Sequence, residues 1–375
     1  MMGSMASSAS ILVRFAAAVL LVAAAAAPLS AARAQEAIGS ERGSVVALPV
    51  DPSLPLPRLV YVSPPLSAAD LAACRAAAPN VEMHIARTQA EALRHAGEAH
   101  AADARFASAA FLEAAPKLRW VQAGSAGVER YLAVGELRSS EQVVLTNMKG
   151  MHGPAIADHA FAMLLMLTRD MRAYDAAQQA GRWDRGAAEA PIALHGRTML
   201  VVGLGGIGSE IARRAHGFGM KVVATARTER PPPAYVDRLE LAGALDGLLP
   251  QADVVAIAVP LTAETEGLFG AKQFALMKEG SYLINIARGR VCETDALVAA
   301  LQSGRLAGAC LDVTDPEPLP AGHPLWKAPN LVLTPHVSSF AQATEERTHA
   351  LQIENLRRFA RGLPLLNVVD KQAGY

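Results

Sequence analysis

An arginine, a glutamate and a histidine follow three apolar runs in the last third of the chain, and these residue types could carry out a reaction together. Arg288 follows the run at residues 282–286, Glu317 follows the run at 309–313, and His336 follows the run at 331–333. Apolar runs of this length are typical of strands buried in a parallel sheet. Because ligands bind beyond the carboxyl ends of such strands, we expect the three side chains to converge on one ligand.

The chemistry of these three side chains is that of a 2-keto acid reduction. The planar guanidinium of Arg288 suits a carboxylate and can polarise the neighbouring ketone. His336 can give a proton to the carbonyl oxygen, and Glu317 on the other ring nitrogen would fix the tautomer. Singly, they could be a surface ion-pair partner, a solvated loop carboxylate and a helix cap. Their shared position after successive strands favours a catalytic role.

A glycine-rich turn that could hold a dinucleotide lies between a predicted strand and a predicted helix. The turn begins after residues 198–202 and consists of Gly203, Leu204, Gly205, Gly206, Ile207 and Gly208. In such a motif the first glycine makes the tight turn, the second lets the backbone approach the pyrophosphate, and the third lets the helix pack on the strand. The helix N-terminus would add free amides for the phosphates. This context raises a weak pattern to a specific prediction.

The residues after the next predicted strand indicate which dinucleotide is used. An NAD site has an acidic residue there for the ribose hydroxyls, whereas this chain has Arg227 and Thr228. Arg227 can bind a 2′-phosphate through two donors, and Thr228 can add a hydrogen bond. We therefore expect NADP(H) to be preferred. The alternative is that Arg227 stacks on adenine and that NAD(H) is used as well.

The elements around these residues follow an alternating pattern of short apolar runs and alanine-rich helical stretches, which indicates an α/β fold with parallel sheets. Strands are expected in two series, at residues 59–62, 81–85, 118–121 and 143–145, then at 199–202, 222–224, 254–259, 282–286, 309–313 and 331–333. Helices are expected at 67–78, 154–180 and 341–361. The second series predicts a Rossmann-type doubly wound sheet. The helix at 154–180 is a candidate dimer surface.

Composition excludes several classes of protein. The chain has 375 residues, and its 35 basic and 35 acidic side chains give no broad basic surface for nucleic acid. At this length we expect two domains. The cysteines, Cys74, Cys292 and Cys310, form no C-x-x-C pair, so we expect small buried residues and neither a disulfide framework nor a metal site.

The N-terminal segment resembles a secretory leader. Arg14 precedes an uninterrupted apolar run at residues 15–27, and Ala32 and Ala34 stand where a signal peptidase reads small residues. The run is too short for a stable membrane span. A mispredicted start or an organellar leader are the alternatives. We therefore predict a leader at residues 1–34 and a proline-rich linker at 35–57. A leader indicates export, whereas NADPH is a cytoplasmic cofactor. The sequence therefore leaves open whether the protein is exported or stays in the cytoplasm.

From about Arg58 onward the sequence resembles the D-isomer-specific 2-hydroxyacid dehydrogenase family. The motifs that carry the resemblance are residues 194–198 before the glycine turn, 252–254, 260–262 with Thr265, 285–289, 311–313, 317–320, and 334–336. The resemblance places the family's catalytic arginine, glutamate and histidine on Arg288, Glu317 and His336. It also assigns cofactor contacts to Pro260, Thr265, Ile286, Ala287 and Asp312, the last of these to the nicotinamide amide. Within the family, NADPH-preferring glyoxylate and hydroxypyruvate reductases are most similar.

The resemblance further implies a discontinuous, flavodoxin-like substrate domain. Its parts would be residues 58–150 and 338–375, around a dinucleotide-binding domain at 151–337. Backbone amides of Ser125, Ala126 and Gly127 would hold the substrate carboxylate. Departures from the family pattern stand at Asp158, Glu129 and Thr314, and they bear on which substrate is preferred.

Three functions are open on the sequence alone. The first is reduction of a small 2-keto acid by a homodimer without a metal. The second is a corepressor-like dinucleotide sensor that acts through protein contacts, because the same fold serves such proteins. The third is a dehydrogenase for a larger 2-hydroxy acid. An intact set of Arg288, Glu317 and His336 favours the first.

Overall fold

The computed structural model of the chain describes residues 45–51, 53–188 and 191–374. The predicted leader, together with the first part of the predicted linker, lies outside these residues. Within them the chain forms two sheets, and every strand pairs in parallel with its neighbours. This confirms the predicted α/β class.

The first sheet has five strands. They are β1 (Leu59–Ser63), β2 (Val81–Ile85), β3 (Ala101–Asp103), β4 (Trp120–Gln122) and β5 (Val144–Thr146). Their spatial order, β2-β1-β3-β4-β5, is the flavodoxin-like order, as the family resemblance implies. The chain order reverses between β1 and β3, which is where such sheets open a crevice at their carboxyl end.

Short helices connect these strands, and the last helix of the chain joins them. The helices are α1 (Ala68–Ala77), α2 (Gln89–His95), α3 (Ala109–Ala114), α4 (Glu129–Leu132) and α5 (Gly135–Ser139), with α12 (Gln342–Ala360) at the C-terminus. Ser67, Thr88 and Ser108 begin α1, α2 and α3, since each side chain accepts a backbone N–H of the first turn. Phe359 of α12 packs on Trp120 of β4 with ring centroids 5.2 Å apart. The part of the fold built around the five-stranded sheet is therefore discontinuous in sequence.

The second sheet has seven strands. They are β6 (Thr198–Val202), β7 (Lys221–Ala226), β8 (Arg238–Leu241), β9 (Val254–Ile257), β10 (Ser281–Asn285), β11 (Leu306–Leu311) and β12 (Leu331–Leu333). Their order, β12-β11-β10-β9-β6-β7-β8, is that of a Rossmann sheet extended by one strand. The chain order reverses between β6 and β9, and the glycine turn follows β6 at this point.

Helices cover both faces of this sheet. They are α6 (Gly153–Thr168), α7 (Met171–Gln179), α8 (Gly206–Gly217), α9 (Leu245–Leu248), α10 (Ala271–Leu276) and α11 (Thr294–Gln302). One core cluster gathers α10 and α11 side chains, and the other gathers those of α6 and α8. β9 is buried along its whole length, which explains its uninterrupted apolar sequence.

Three features differ from the sequence-based expectations. β3 is missed because Ala101 and Ala102 carry no β-branched or aromatic side chain, and β8 is missed because it is a polar edge strand. The single helix expected at residues 154–180 is two helices, since Asp170 adopts a left-handed backbone with φ 50°. These differences leave the order of the predicted elements unchanged.

The predicted linker is also partly packed. Val45 forms a bridge with Leu365, whose N–H donates to the Val45 carbonyl, and Ala47 is buried. A Cβ built on Gly362 would lie 2.6 Å from the Val50 nitrogen, so this segment lies directly against the end of α12. The sequence predicts that the folded chain begins near Arg58, but in the structure the packed chain begins before this residue.

The three cysteines are buried and unpaired, as expected. Burial raises the pKa of the Cys292 thiol to about 12 and raises the pKa of the Cys310 thiol as well. Thiols of this kind stay protonated near neutrality and are poor nucleophiles.

Across residues 45–51, 53–188 and 191–374, no helix has both the length and the apolar character that a membrane crossing requires.

Candidate active site

The glycine turn has the shape that a dinucleotide requires. Gly203 has φ 97°, and a Cβ built there would lie 2.8 Å from Val259 Cγ1. A Cβ on Gly208 would lie 2.1 Å from the Gly203 carbonyl oxygen, so only glycine lets α8 pack this closely on β6. These two positions are glycine for steric reasons that the sequence motif had indicated.

The N-terminus of α8 is open beside this turn. Gly205 begins the helix without a side-chain hydrogen bond, and no heavy atom lies within 4 Å of a Cβ built on it. Gly205 and Gly206 are exposed, and Ile207 is half-buried. First-turn amides without a side-chain cap suit anionic oxygens. The residues therefore fit the pyrophosphate of a dinucleotide.

The residues predicted to bind the adenosine end of the cofactor follow β7. Buried Thr225 accepts the Gly203 N–H through Oγ1 at 3.1 Å, and its carbonyl accepts the Leu204 N–H at 2.7 Å, which joins β7 to the glycine turn. Arg227 and Thr228 follow as exposed residues. Arg230 donates to the Leu204 carbonyl and so places a cation beside the turn. The sequence interpretation missed Arg230, although its spacing from Arg227 on the same loop was a usable signal.

The loop after β9 contains two of the predicted cofactor contacts. Thr265 Oγ1 donates to the Pro260 carbonyl at 2.6 Å and accepts the Thr262 N–H at 2.8 Å. The Thr265 hydroxyl therefore closes the loop. Its contact with the cofactor stays a prediction.

A buried amide shapes the turn that presents Arg288. Asn285, the last residue of β10, accepts the Ala287 N–H at 3.0 Å and donates to the Arg288 carbonyl at 3.0 Å. Ile286 and Ala287 are buried beneath this turn. The short path from Asn285 to Arg288 is thus held by side-chain hydrogen bonds rather than by a helix or strand.

Arg288 lies against the loop that the family resemblance assigns to the substrate. A Cβ built on Gly127 would lie 1.8 Å from Arg288 Nη2, so only glycine permits this approach. Ser125 Oγ donates to the Gly127 carbonyl at 2.7 Å, and Asn147 Nδ2 donates to the Ala126 carbonyl at 2.8 Å. These two hydrogen bonds hold the carbonyl groups of the loop. The Ser125–Gly127 loop and Arg288 are therefore in contact, and the contact involves an ordered loop.

Glu317 and His336 form a hydrogen-bonded pair. The distance from His336 Nδ1 to Glu317 Oε1 is 2.7 Å, and both side chains are 43% exposed. With Nδ1 engaged, Nε2 is the ring nitrogen left to exchange a proton with a ligand. His336 has φ 55°, a strained conformation for a residue with a side chain, and such strain often marks functional positions.

A buried carboxylate holds the turn that contains His336. Asp312 is 1% exposed, and its side chain accepts the N–H groups of Val337 at 2.9 Å and Ser338 at 3.0 Å. It also accepts the Thr334 hydroxyl at 2.7 Å, while its backbone carbonyl accepts the His336 N–H at 2.8 Å. Asp312 is therefore an organising residue of this turn. Its predicted contact with the nicotinamide amide stays a prediction.

His159 on α6 completes this network, and sequence reasoning had not selected it. His159 Nε2 lies 2.9 Å from the Thr334 hydroxyl, whose single hydrogen goes to Asp312. The hydroxyl therefore accepts from His159, which fixes a proton on Nε2. His159 is 175 residues away in sequence, and no local pattern connects it to Thr334.

Sheet register explains why the predicted catalytic residues lie close together. Asn285, Leu311 and Leu333 are register partners across β10, β11 and β12. Arg288 and His336 each follow their strand partner by three residues. A Cβ on Gly289 would lie 2.0 Å from the Thr314 carbonyl, so the turns after β10 and β11 are in contact. The arginine, glutamate and histidine thus lie on adjacent turns at the carboxyl end of the sheet.

Comparison with known proteins identifies the family of the chain. The family profile "D-isomer specific 2-hydroxyacid dehydrogenase, NAD binding domain" matches residues 161–338. The glyoxylate reductase of Thermococcus litoralis is 36% identical over 272 residues, which cover 69% of this chain and 79% of that protein. The glyoxylate/hydroxypyruvate reductase B of Salmonella agona is 39% identical over 278 residues, which cover 70% and 82%.

A solved structure extends the comparison to three dimensions. The D-isomer specific 2-hydroxyacid dehydrogenase of Xanthobacter autotrophicus Py2, crystallised with NADPH and MES, is 31% identical. It superposes with a TM-score of 0.71, over 84% of this chain and 99% of that chain. The sequence motifs, both sheets and the site residues thus point the same way, and the chain belongs to the D-isomer specific 2-hydroxyacid dehydrogenase family of NAD(P)-dependent oxidoreductases.

Proposed function

We propose that this enzyme reduces a small 2-keto acid, of the size of glyoxylate or hydroxypyruvate, to the D-2-hydroxy acid with NADPH. The observation that carries the proposal is the placement of the Glu317–His336 pair and Arg288 on adjacent strand-end turns, with Arg288 against the Ser125–Gly127 loop. Reductases of glyoxylate and hydroxypyruvate among the similar proteins support the substrate class.

The residues divide the reaction between them. Arg288 holds the keto acid through N–H groups directed at its carboxylate and carbonyl oxygens, and backbone amides of the Ser125–Gly127 loop hold the same carboxylate. A nicotinamide bound beside β10 and β11 would supply the hydride. As the carbonyl carbon is reduced, His336 Nε2 gives its proton to the carbonyl oxygen. Glu317 on Nδ1 stabilises the charged ring and keeps it oriented.

The preference for NADPH rests on the loop after β7. A 2′-phosphate carries charge that suits the guanidinium of Arg227, the hydroxyl of Thr228 and the nearby guanidinium of Arg230. A related enzyme of the family was crystallised with NADPH, which supports the same choice. NADH would lose these charge-assisted contacts and bind more weakly.

The direct test is cofactor oxidation, followed at 340 nm, by protein that lacks residues 1–34. Glyoxylate, hydroxypyruvate, pyruvate and bulkier keto acids are supplied in turn with NADPH or NADH. We expect the highest kcat/KM with one of the two smallest polar keto acids and NADPH. The absence of turnover with every keto acid would refute the reductase function, and a clear NADH preference would refute the cofactor assignment alone.

We also propose that the enzyme is a homodimer formed through the region of α6 and α7. Met166 and Met171 are exposed there, and Trp183 shortly after α7 is 91% exposed. Exposed apolar side chains grouped in sequence are typical of a surface that a second copy covers. Light scattering coupled to size-exclusion chromatography should give twice the chain mass. A monomer at micromolar concentration would contradict this assembly.

A further inference from the structure

Glu129 holds the guanidinium of Arg288. It lies in α4, just after the Ser125–Gly127 loop, and its Oε1 and Oε2 lie 3.2 Å from Arg288 Nε and 3.4 Å from Nη2. The side chains are 35% and 32% exposed, so the pair is only partly screened by water. The contact joins residues 159 positions apart in sequence.

The pair determines which donors of Arg288 remain for a substrate. A guanidinium has five N–H groups. Glu129 Oε2 accepts one N–H of Nη2 at 3.4 Å, Glu129 Oε1 forms an ion pair with Nε at 3.2 Å, and the Ala287 carbonyl accepts one N–H of Nη1 at 2.7 Å. Because Nε faces Glu129, the donors that the described residues leave for a ligand are one N–H on Nη1 and one on Nη2. Two donors on neighbouring guanidinium nitrogens suit the oxygens of one anionic or keto group.

The same pair places a negative charge beside any bound keto acid. The Cβ position of Gly127 lies 1.8 Å from Arg288 Nη2 and 2.7 Å from Glu129 Oε2, so loop, guanidinium and carboxylate are in mutual contact. A ligand that contacts both Arg288 and this loop therefore lies within several ångströms of the Glu129 charge. Two like charges at roughly 6 Å repel enough to weaken binding about tenfold or more at the effective dielectric of a protein surface.

We propose that Glu129 is a specificity-determining residue that selects keto acids with a single carboxylate. The first carboxylate of the substrate is compensated by Arg288 and the loop amides. A second carboxylate would meet Glu129 with no such compensation, whereas a hydrogen, hydroxyl or methyl group meets no repulsion. This inference rests on the proposed 2-keto acid reduction and narrows its substrate class.

The experiment compares two four-carbon keto acids that differ only at the far end, 2-oxobutanoate with a methyl group and oxaloacetate with a carboxylate. The readout is the ratio of their kcat/KM values, which cancels any general loss of Arg288 placement. In wild type we expect the ratio to favour 2-oxobutanoate. Glu129→Gln, which keeps the shape and removes the charge, should shift the ratio toward oxaloacetate about tenfold.

Two further variants separate charge from position. Glu129→Asp keeps the charge and should keep the discrimination, although its shorter side chain should raise KM for both acids. Glu141→Gln removes an exposed carboxylate near β5 and should leave the ratio unchanged. An unchanged ratio in Glu129→Gln, or wild-type reduction of oxaloacetate as good as that of 2-oxobutanoate, would overturn the proposal.

Equilibrium binding keeps the test decisive if turnover is lost. Calorimetric dissociation constants of both keto acids, measured on protein saturated with NADP⁺, should show the same shift in Glu129→Gln. A wild type that binds both acids with the expected selectivity but reduces no keto acid, glyoxylate and hydroxypyruvate included, would refute the proposed function and leave the role of Glu129 supported. Equal binding of the two acids by wild type would refute the role of Glu129 itself.

Discussion

The two ends of the candidate site are built differently. At the end that we propose to react, the buried Asn285 side chain accepts from and donates to the backbone of the turn after β10, and the buried Asp312 carboxylate accepts from the backbone of the turn after β12. At the adenosine end, Arg227 and Thr228 are exposed on the loop after β7. The groups that we propose to react thus lie on turns held by a buried framework, whereas the groups that we propose to bind the 2′-phosphate lie on an exposed loop.

This difference predicts where substitutions abolish chemistry and where they change preference. Reacting groups held within fractions of an ångström are sensitive to any loss of geometry. Long cationic side chains tolerate small displacements because the attraction between charges falls slowly with distance.

The largest effect is expected at His336. His336→Gln removes the proton donor while keeping a polar side chain, and turnover should fall by roughly 10² to 10⁴. Affinity for NADPH, measured by fluorescence titration, should stay near that of wild type. Retention of wild-type turnover by this variant would show that another group donates the proton.

The next largest effect is expected from a matched pair of substitutions, one at each end. Thr334→Val removes the hydroxyl that links His159 to Asp312, and it leaves a buried carboxylate with one donor fewer. The free energy of unfolding should fall by about 1–3 kcal/mol. Thr228→Val makes the same change at the exposed end and should leave stability within about 0.5 kcal/mol. Equal losses in urea titrations of the two variants would remove the contrast between the ends.

A smaller effect, on preference alone, is expected at Arg227. Arg227→Ala should lower the ratio of kcat/KM for NADPH over NADH about tenfold, as one charge-assisted contact to the 2′-phosphate is lost. The value of kcat at saturating cofactor should hardly change. Arg94→Ala, an exposed arginine on α2, serves as the control. A large drop in kcat for Arg227→Ala would mean that the adenosine end also positions the reacting groups.

The smallest effect concerns His152, which precedes α6 close to the glycine turn. Burial, with a smaller contribution from the Arg347 charge, lowers the pKa of His152 below its ordinary 6.5. The unfolded chain then binds a proton more readily than the folded one, so stability should fall as pH drops through 6.5 toward the folded-state pKa. In His152→Gln the melting temperature should depend less on pH between 7.5 and 5.5. As a control, replacement of the exposed His216 by Gln should leave the pH dependence of the melting temperature as in wild type. A pH dependence in His152→Gln equal to that of wild type would contradict the role given to His152.

Much of this architecture follows from local patterns in the sequence. Continuous apolar runs predict β9, β10 and β12 because strands buried on both faces need apolar side chains throughout. The glycine turn is predictable because Gly203 and Gly208 meet backbone atoms that exclude a side chain. In both cases the physical constraint acts on neighbouring residues.

The features that escaped prediction depend on distant contacts or on weak local preferences. β3 is made of alanine and aspartate, whose strand preference is low, so its position is decided by pairing with β1 and β4. The Glu129–Arg288 and His159–Thr334 contacts join residues more than 150 positions apart. Residue types and spacings in the sequence do not predict these two contacts, because the partners come close to each other only after both sheets have formed.

The discontinuity of the five-stranded sheet has a consequence for the order in which the protein is made. Asn80, next to β2, donates to the Ala360 carbonyl at 3.1 Å, across 280 residues. The strands translated first therefore complete their core only when α12, which follows all of the strands in sequence, has left the ribosome. The strands of the seven-stranded sheet, Thr198 to Leu333, form one continuous stretch that can assemble earlier. During synthesis the dinucleotide part is thus complete while the part that would select the substrate still waits for its final helix.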